Sequence, residues 1–301
     1  MPLSSALVGI ATDPFENSCD ARSVMAYAAG LDDSEPRYFD TTQPLRVHPL
    51  YPVCLEWDAV LALRHGPETE SLSPEEQARA VHAEHDLHLI RPIRPGMRLQ
   101  TVAMAIQVEQ RKPGASLIKR IDTRDETGAL VCRTFQHTLY RDVALKGAPR
   151  RLENIPAWPV STRPATARVP LTIPPGAAHI YTECARIWNP IHTDRAHAQA
   201  AGFADIILHG TATLARAVSS LMKMCLPDSP HLRVTRLGCR FTGMVNVPST
   251  LTLRLDGADE RCINFSVLND SATEVISRGF LCIEGGHVVR PGALSNQPIP
   301  S

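Results

Sequence analysis

Apolar residues at Leu214, Val218, Leu221 and Met222 follow i, i+4, i+7 and i+8 spacing, which predicts an amphipathic helix with one buried face over residues 211–224. A second, shorter helix is predicted over about 55–64, where Gly66-Pro67 ends it. Elsewhere the period drops to two. Residues 100–106 alternate as a strand, and 127–133 and 269–277 each read as strand, polar turn, strand. These elements come in two sets. Leu99 and Leu251, each following a proline-containing turn and preceding an alternating run, stand 152 residues apart. Upstream, 33–38 can be laid over 187–192 at an offset of 154. The chain therefore reads as one unit used twice, over 1–145 and 176–290, with a tail at 291–301. Between the halves, 146–175 contains Pro149, Pro156, Pro159, Pro164, Pro170, Pro174 and Pro175 with little periodicity, and reads as a wrapping linker.

Composition narrows the partners. The 301 residues carry 31 Lys+Arg against 31 Asp+Glu, so no basic field invites a nucleic-acid backbone and no charge run suggests a membrane patch. No apolar stretch approaches the roughly 18 to 20 residues of a bilayer span. Neither end carries a recognisable secretion or sorting signal, and the expected location is cytoplasmic. The eight cysteines are scattered without a C-x-x-C pair, and read as small buried hydrophobes in a reducing compartment.

The candidate chemistry sits in the second half. Pro190 fixes its own φ and pushes Asn189 out of the α region, so the pair turns the chain and presents His192, the natural proton carrier of the segment. Asp194 is expected to cap a short helix through Ala196 and Ala198. His209-Gly210 then opens the 211–224 helix, where unpaired N–H groups and the positive end of the dipole would stabilise an oxygen that gains negative charge. His82, His85 and His88, at i, i+3 and i+6 of a strand, are expected on no single face, and no metal site is read from them.

The run Asn189-Pro190-Ile191-His192-Thr193-Asp194, with Ala201-Gly202-Phe203 and Leu208-His209-Gly210-Thr211 after it, resembles the MaoC-like dehydratases, also called (R)-specific enoyl-CoA hydratases. The resemblance implies an α+β fold of two hot-dog halves, each an antiparallel sheet around a central helix. One half would keep the site and the other would be degenerate. It implies hydration or dehydration of an acyl thioester on coenzyme A or an acyl carrier protein. No cofactor is needed beyond coenzyme A as part of the substrate, and a homodimer of double hot-dogs is a possible assembly.

By this resemblance His192 is the general acid/base, Asn189 orients the water, and the Gly210 N–H holds the thioester oxygen. His209 mostly supports the turn. The family's acid, five residues before the histidine, falls on Ile187 here, with Glu183 the nearest upstream carboxylate. In the first half Asp33 takes the acid position, Tyr38 takes the histidine position, and Asp33 is not expected to reach His192. Arg186 could fork onto an acidic acyl tail, while Arg91 and Arg94 could meet coenzyme A phosphates. Thioester hydrolysis at the same oxyanion site, or non-catalytic binding of an acyl thioester, are the alternatives.

Overall fold

The computed structural model describes residues 2–66, 72–226, 229 and 231–289; the tail at 291–301 lies outside them. The first half runs β1 (Leu3–Ser4), β2 (Phe15–Ser18), α1 (Ala21–Gly30), α2 (Pro52–Arg64), α3 (Pro74–Ala78), β3 (Ala80–Leu89), β4 (Arg98–Arg111), β5 (Gly114–Asp125), β6 (Leu130–Arg141), β7 (Leu145–Lys146) and β8 (Arg150–Arg151). The second runs β9 (Pro164–Ile173), α4 (Ala177–Ala185), α5 (Arg195–Ala200), α6 (Gly210–Cys225), β10 (Arg233–Phe241), β11 (Ser249–Ala258), β12 (Cys262–Leu268) and β13 (Glu274–Glu284).

The strands order as β2-β4-β5-β6-β3-β10-β13-β12-β11-β9, so the second half repeats the first in mirrored sequence across the β3–β10 seam. This is the α+β double hot-dog. At the seam, β3 and β10 pair antiparallel, with Leu87 opposite Leu237 and Asp86 opposite Gly238. A Cβ on Gly238 would lie 2.3 Å from the His85 carbonyl oxygen, so only glycine permits this approach. Arg236 on β10 crosses the seam to grip Asp86 with two bonds of 2.9 and 2.8 Å.

Each half closes its sheet over one helix. The predicted stripe of α6 is buried, with Leu214, Val218 and Leu221 fully covered in one core with Leu253, Phe265 and Leu281. In the first half Ala59, Val60 and Leu63 of α2 pack with Ala103, Leu117 and Ile121. The duplication also shows at the crossing of α1 and α4, where the Tyr27 and Tyr181 hydroxyls, 154 residues apart in sequence, meet at 3.5 Å.

Three expectations need correcting. The segment 146–175 is more than a linker: β8 pairs with β4, and β9 forms the edge of the second half's sheet. Its apolar residues Ala165, Ala167, Val169 and Leu171 alternate, and Pro164 and Pro170 are tolerated because an edge strand leaves one row of backbone groups unpaired. Cys262 and Cys282, opposite one another on β12 and β13, are joined by a disulfide, whereas all eight cysteines were expected to be free. Finally, a bulge between His82 and Glu84 resets the parity of β3, so His82 and His85 share a face with their rings 5.4 Å apart. His88 points elsewhere, against Phe135.

Candidate active site

Asn189 adopts the extended conformation demanded by Pro190, and its Oδ1 accepts from the Ile191 N–H at 3.4 Å. One turn of 3-10 helix later, His192 places Nδ1 2.7 Å from the Ile207 carbonyl oxygen. A carbonyl can only accept, so Nδ1 carries the proton and the neutral ring keeps its lone pair on Nε2. Among the described residues nothing bonds to that nitrogen, and His192 lines a cavity of about 420 Å³. Burial pushes His192 down to about 4, only partly offset by the Ile207 carbonyl.

His209, buried at the start of α6, stacks on His192 with ring centroids 3.6 Å apart. Its Nε2 faces the Ile187 carbonyl and the Thr182 hydroxyl, each at 3.3 Å, while its Nδ1 is buried without a partner among the described residues. Burial and the neighbouring His192 hold its pKa well below the ordinary imidazole value. The His209 side chain does not cap α6, which leaves the first N–H groups of the helix to the cavity. Gly210 belongs here for a packing reason as well: a Cβ would meet the Phe241 ring at 3.0 Å.

The cavity spans both halves. From the second it takes Ile187, Asn189, His192, His209, Gly210 and Phe241; from the first it takes Glu56, His82, His85, Lys119 and Gln136. A partly polar pocket with a lone pair on one wall and a helix N-terminus beside it can accept a proton and stabilise an oxyanion.

The MaoC like domain model matches residues 159–276, and the FAS1-like, dehydratase domain region model matches residues 6–134. The second half of the chain thus carries a MaoC like domain, and the first half a FAS1-like dehydratase domain region. The chain is 28% identical over 204 residues to peroxisomal multifunctional enzyme type 2 of Drosophila melanogaster, covering 67% of the chain and 34% of that enzyme. It is 25% identical over 180 residues to an enoyl-CoA hydratase of Mycobacterium tuberculosis, covering 60% of the chain and 62% of that protein. It thus spans about a third of the fly enzyme and less than two thirds of the mycobacterial one. A crystal structure of a MaoC-like dehydratase from Phytophthora capsici superposes with a TM-score of 0.76 at 19% identity, over 90% of this chain and 94% of that one.

Of the residues read from sequence, the MaoC-like fold gathers His192, Asn189, His209 and Gly210 on one cavity wall. Ile187 is buried beside them and offers an apolar side chain where the family's acid is expected. The proposed helpers fall elsewhere. Glu183 is exposed on α4 and lines a separate surface groove with Trp188 and His179. Arg186 is exposed at the left-handed end of α4 and is not among the cavity residues. Arg91 and Arg94 lie exposed in the turn between β3 and β4, with Arg91 3.5 Å from Asp125. Asp33 does reach the other half's helix, but at its far end: it pairs with Lys223 at 2.9 Å, in the last turn of α6, away from Gly210.

Sequence reading missed the first-half contribution altogether. Lys119 was detectable, because it stands between Leu117 and Ile121 at the inward parity of β5.

Proposed function

We propose that this chain adds water across the double bond of an enoyl thioester, or runs the reverse dehydration, on coenzyme A or an acyl carrier protein. The observation that carries the reading is the free Nε2 lone pair of His192 on the same cavity wall as the open N-terminus of α6. Nε2 takes a proton from water as its oxygen bonds to Cβ. The π electrons move toward the thioester oxygen, held by the Gly210 N–H, and the imidazolium returns the proton to Cα. One base can serve both steps, which suits a site whose acid position is the apolar Ile187. Asn189 would orient the water through its amide. The enoyl-CoA hydratase name of the mycobacterial relative supports the choice of substrate.

The test is loss of enoyl absorbance on incubation with crotonyl-CoA. Wild type should hydrate it, and His192→Ala should lose at least about 100-fold in kcat, the usual share of a general acid/base. Thiol release without hydration would favour hydrolysis, and binding without either would favour a non-catalytic role. An unchanged rate in His192→Ala would remove the site assignment.

A further inference from the structure

The first-half end of the cavity is lined by polar groups that the chemistry at His192 does not use. His85 on β3, Gln136 on β6 and Lys119 on β5 are consecutive partners in register, and form one row across three strands on the face that looks at α2. Both ring nitrogens of His85, Nε2 of His82 and Oε1 of Gln136 are buried without partners among the described residues. Lys119 is 4% exposed, and no carboxylate of the described residues comes within 4.0 Å of its Nζ. Glu56, on α2, is occupied by the Thr134 hydroxyl at 2.5 Å.

A series of ring contacts connects this row to the reacting end. His192 stacks on His209, Gly210 abuts the Phe241 ring, that ring meets His82 edge-on at 4.9 Å, and His82 meets His85. A chain entering past Gly210 therefore runs along Phe241 into the row.

We infer that the first-half end of this cavity receives an acyl tail that ends in a carboxylate, with Lys119 as its countercharge and the His85–Gln136 row as its hydrogen-bonding wall. This rests on the thioester reading above and names its substrate class. An alkyl tail would leave the Lys119 amino group and four unpartnered polar atoms against methylenes, which proteins avoid. A carboxylate accepts from Lys119 and from an imidazole N–H at once. Burial pushes Lys119 down to about 7 and Glu56 up to about 8, so a bound carboxylate would draw a proton onto the lysine while Glu56 stays uncharged. The role imagined for Arg186 passes to Lys119, since Arg186 is outside the cavity.

Binding of saturated thioesters tests this apart from the chemistry, because they cannot be hydrated. Dissociation constants would be measured calorimetrically for ω-carboxyacyl-CoAs and for alkyl acyl-CoAs of matched length, across a series of chain lengths. Wild type should favour the carboxylate series by at least about tenfold at its best length. Lys119→Met, of similar volume, should erase that preference and retain alkyl binding, and Arg186→Ala should leave the preference intact. The wild-type comparison stands even if Lys119→Met does not fold. Equal affinities within every matched pair, no binding at any length, or a preference that survives in folded Lys119→Met would overturn the inference. Failure of the hydratase reading would show separately, as an ω-carboxyenoyl-CoA of the preferred length that binds and is not hydrated.

Discussion

At the scale of single residues, the site turns on an imidazole kept neutral by burial and oriented by one carbonyl. If His192 acts as base, only its uncharged form works, so kcat/KM for hydration should rise with pH through about 4 and stay level across neutrality. An acid limb near the ordinary imidazole value would contradict this environment. Ile187→Asp makes the converse prediction. A carboxylate beside His192 favours the imidazolium, so the limb should move alkaline by about one unit or more. An unmoved limb in a folded variant would show that position 187 does not act on the imidazole. His192, Asn189, His209 and Gly210 were legible in the sequence because one local turn and one helix start place them together. Lys119 showed its inward place on β5 by parity alone, but that it shares a cavity with His192, as His82 and His85 do, follows only from the pairing of two halves, which nothing in a linear sequence states.

Among the elements, the β3–β10 seam holds the cavity's two ends in register. Asp86 is 2% exposed and depends on the Arg236 fork, with His88 Nε2 3.2 Å away. Removing the arginine strands a buried carboxylate, so Arg236→Met should cost about 3 kcal/mol. Replacing both partners in Asp86→Leu/Arg236→Met should recover most of that. The neighbouring Arg240–Glu84 pair is more exposed, at 44% and 24% of the side chains, and Arg240→Met should cost under about 1 kcal/mol. Urea midpoints for the four proteins would check the order, and equal losses for the two single arginine variants would contradict it. Helix α6 was readable almost to its ends because a single apolar stripe determines it. The strand β9 carried its alternation openly but was hidden by prolines that only an edge strand accepts. The β3 bulge left no mark in its own residues, since a bulge is set by the strand opposite.

For the whole molecule, the same burial that shapes the cavity sets a limit at low pH. His48 and His85 are each 1% exposed, and burial pushes each down to about 4, as it does His192. Between pH 6.5 and 4 the unfolded chain binds protons at these positions that the folded chain refuses, so folding stability rises with pH through that window and is lost as pH falls through it. At 1.36 kcal/mol per pKa unit, each fully buried histidine removes about 3 kcal/mol by pH 4. His48 forms the larger hazard for the fold because its Nε2 bonds Ser219 on α6, while its Nδ1 accepts from the Leu50 N–H and cannot do so once protonated. Glu84, held at about 2 by His137 and Arg240 against the cost of its burial, adds its own loss only below pH 4.5. Melting temperatures measured from pH 8 to 4 should therefore fall below about pH 6.5, with Glu56, pushed up to about 8 by burial, offsetting part of the loss because its folded carboxyl takes up a proton that the unfolded one does not. His48→Gln, which keeps an amide donor toward Ser219, should flatten the first part of that fall. A melting temperature level down to pH 4.5 would mean that these histidines are protonated in the folded chain after all.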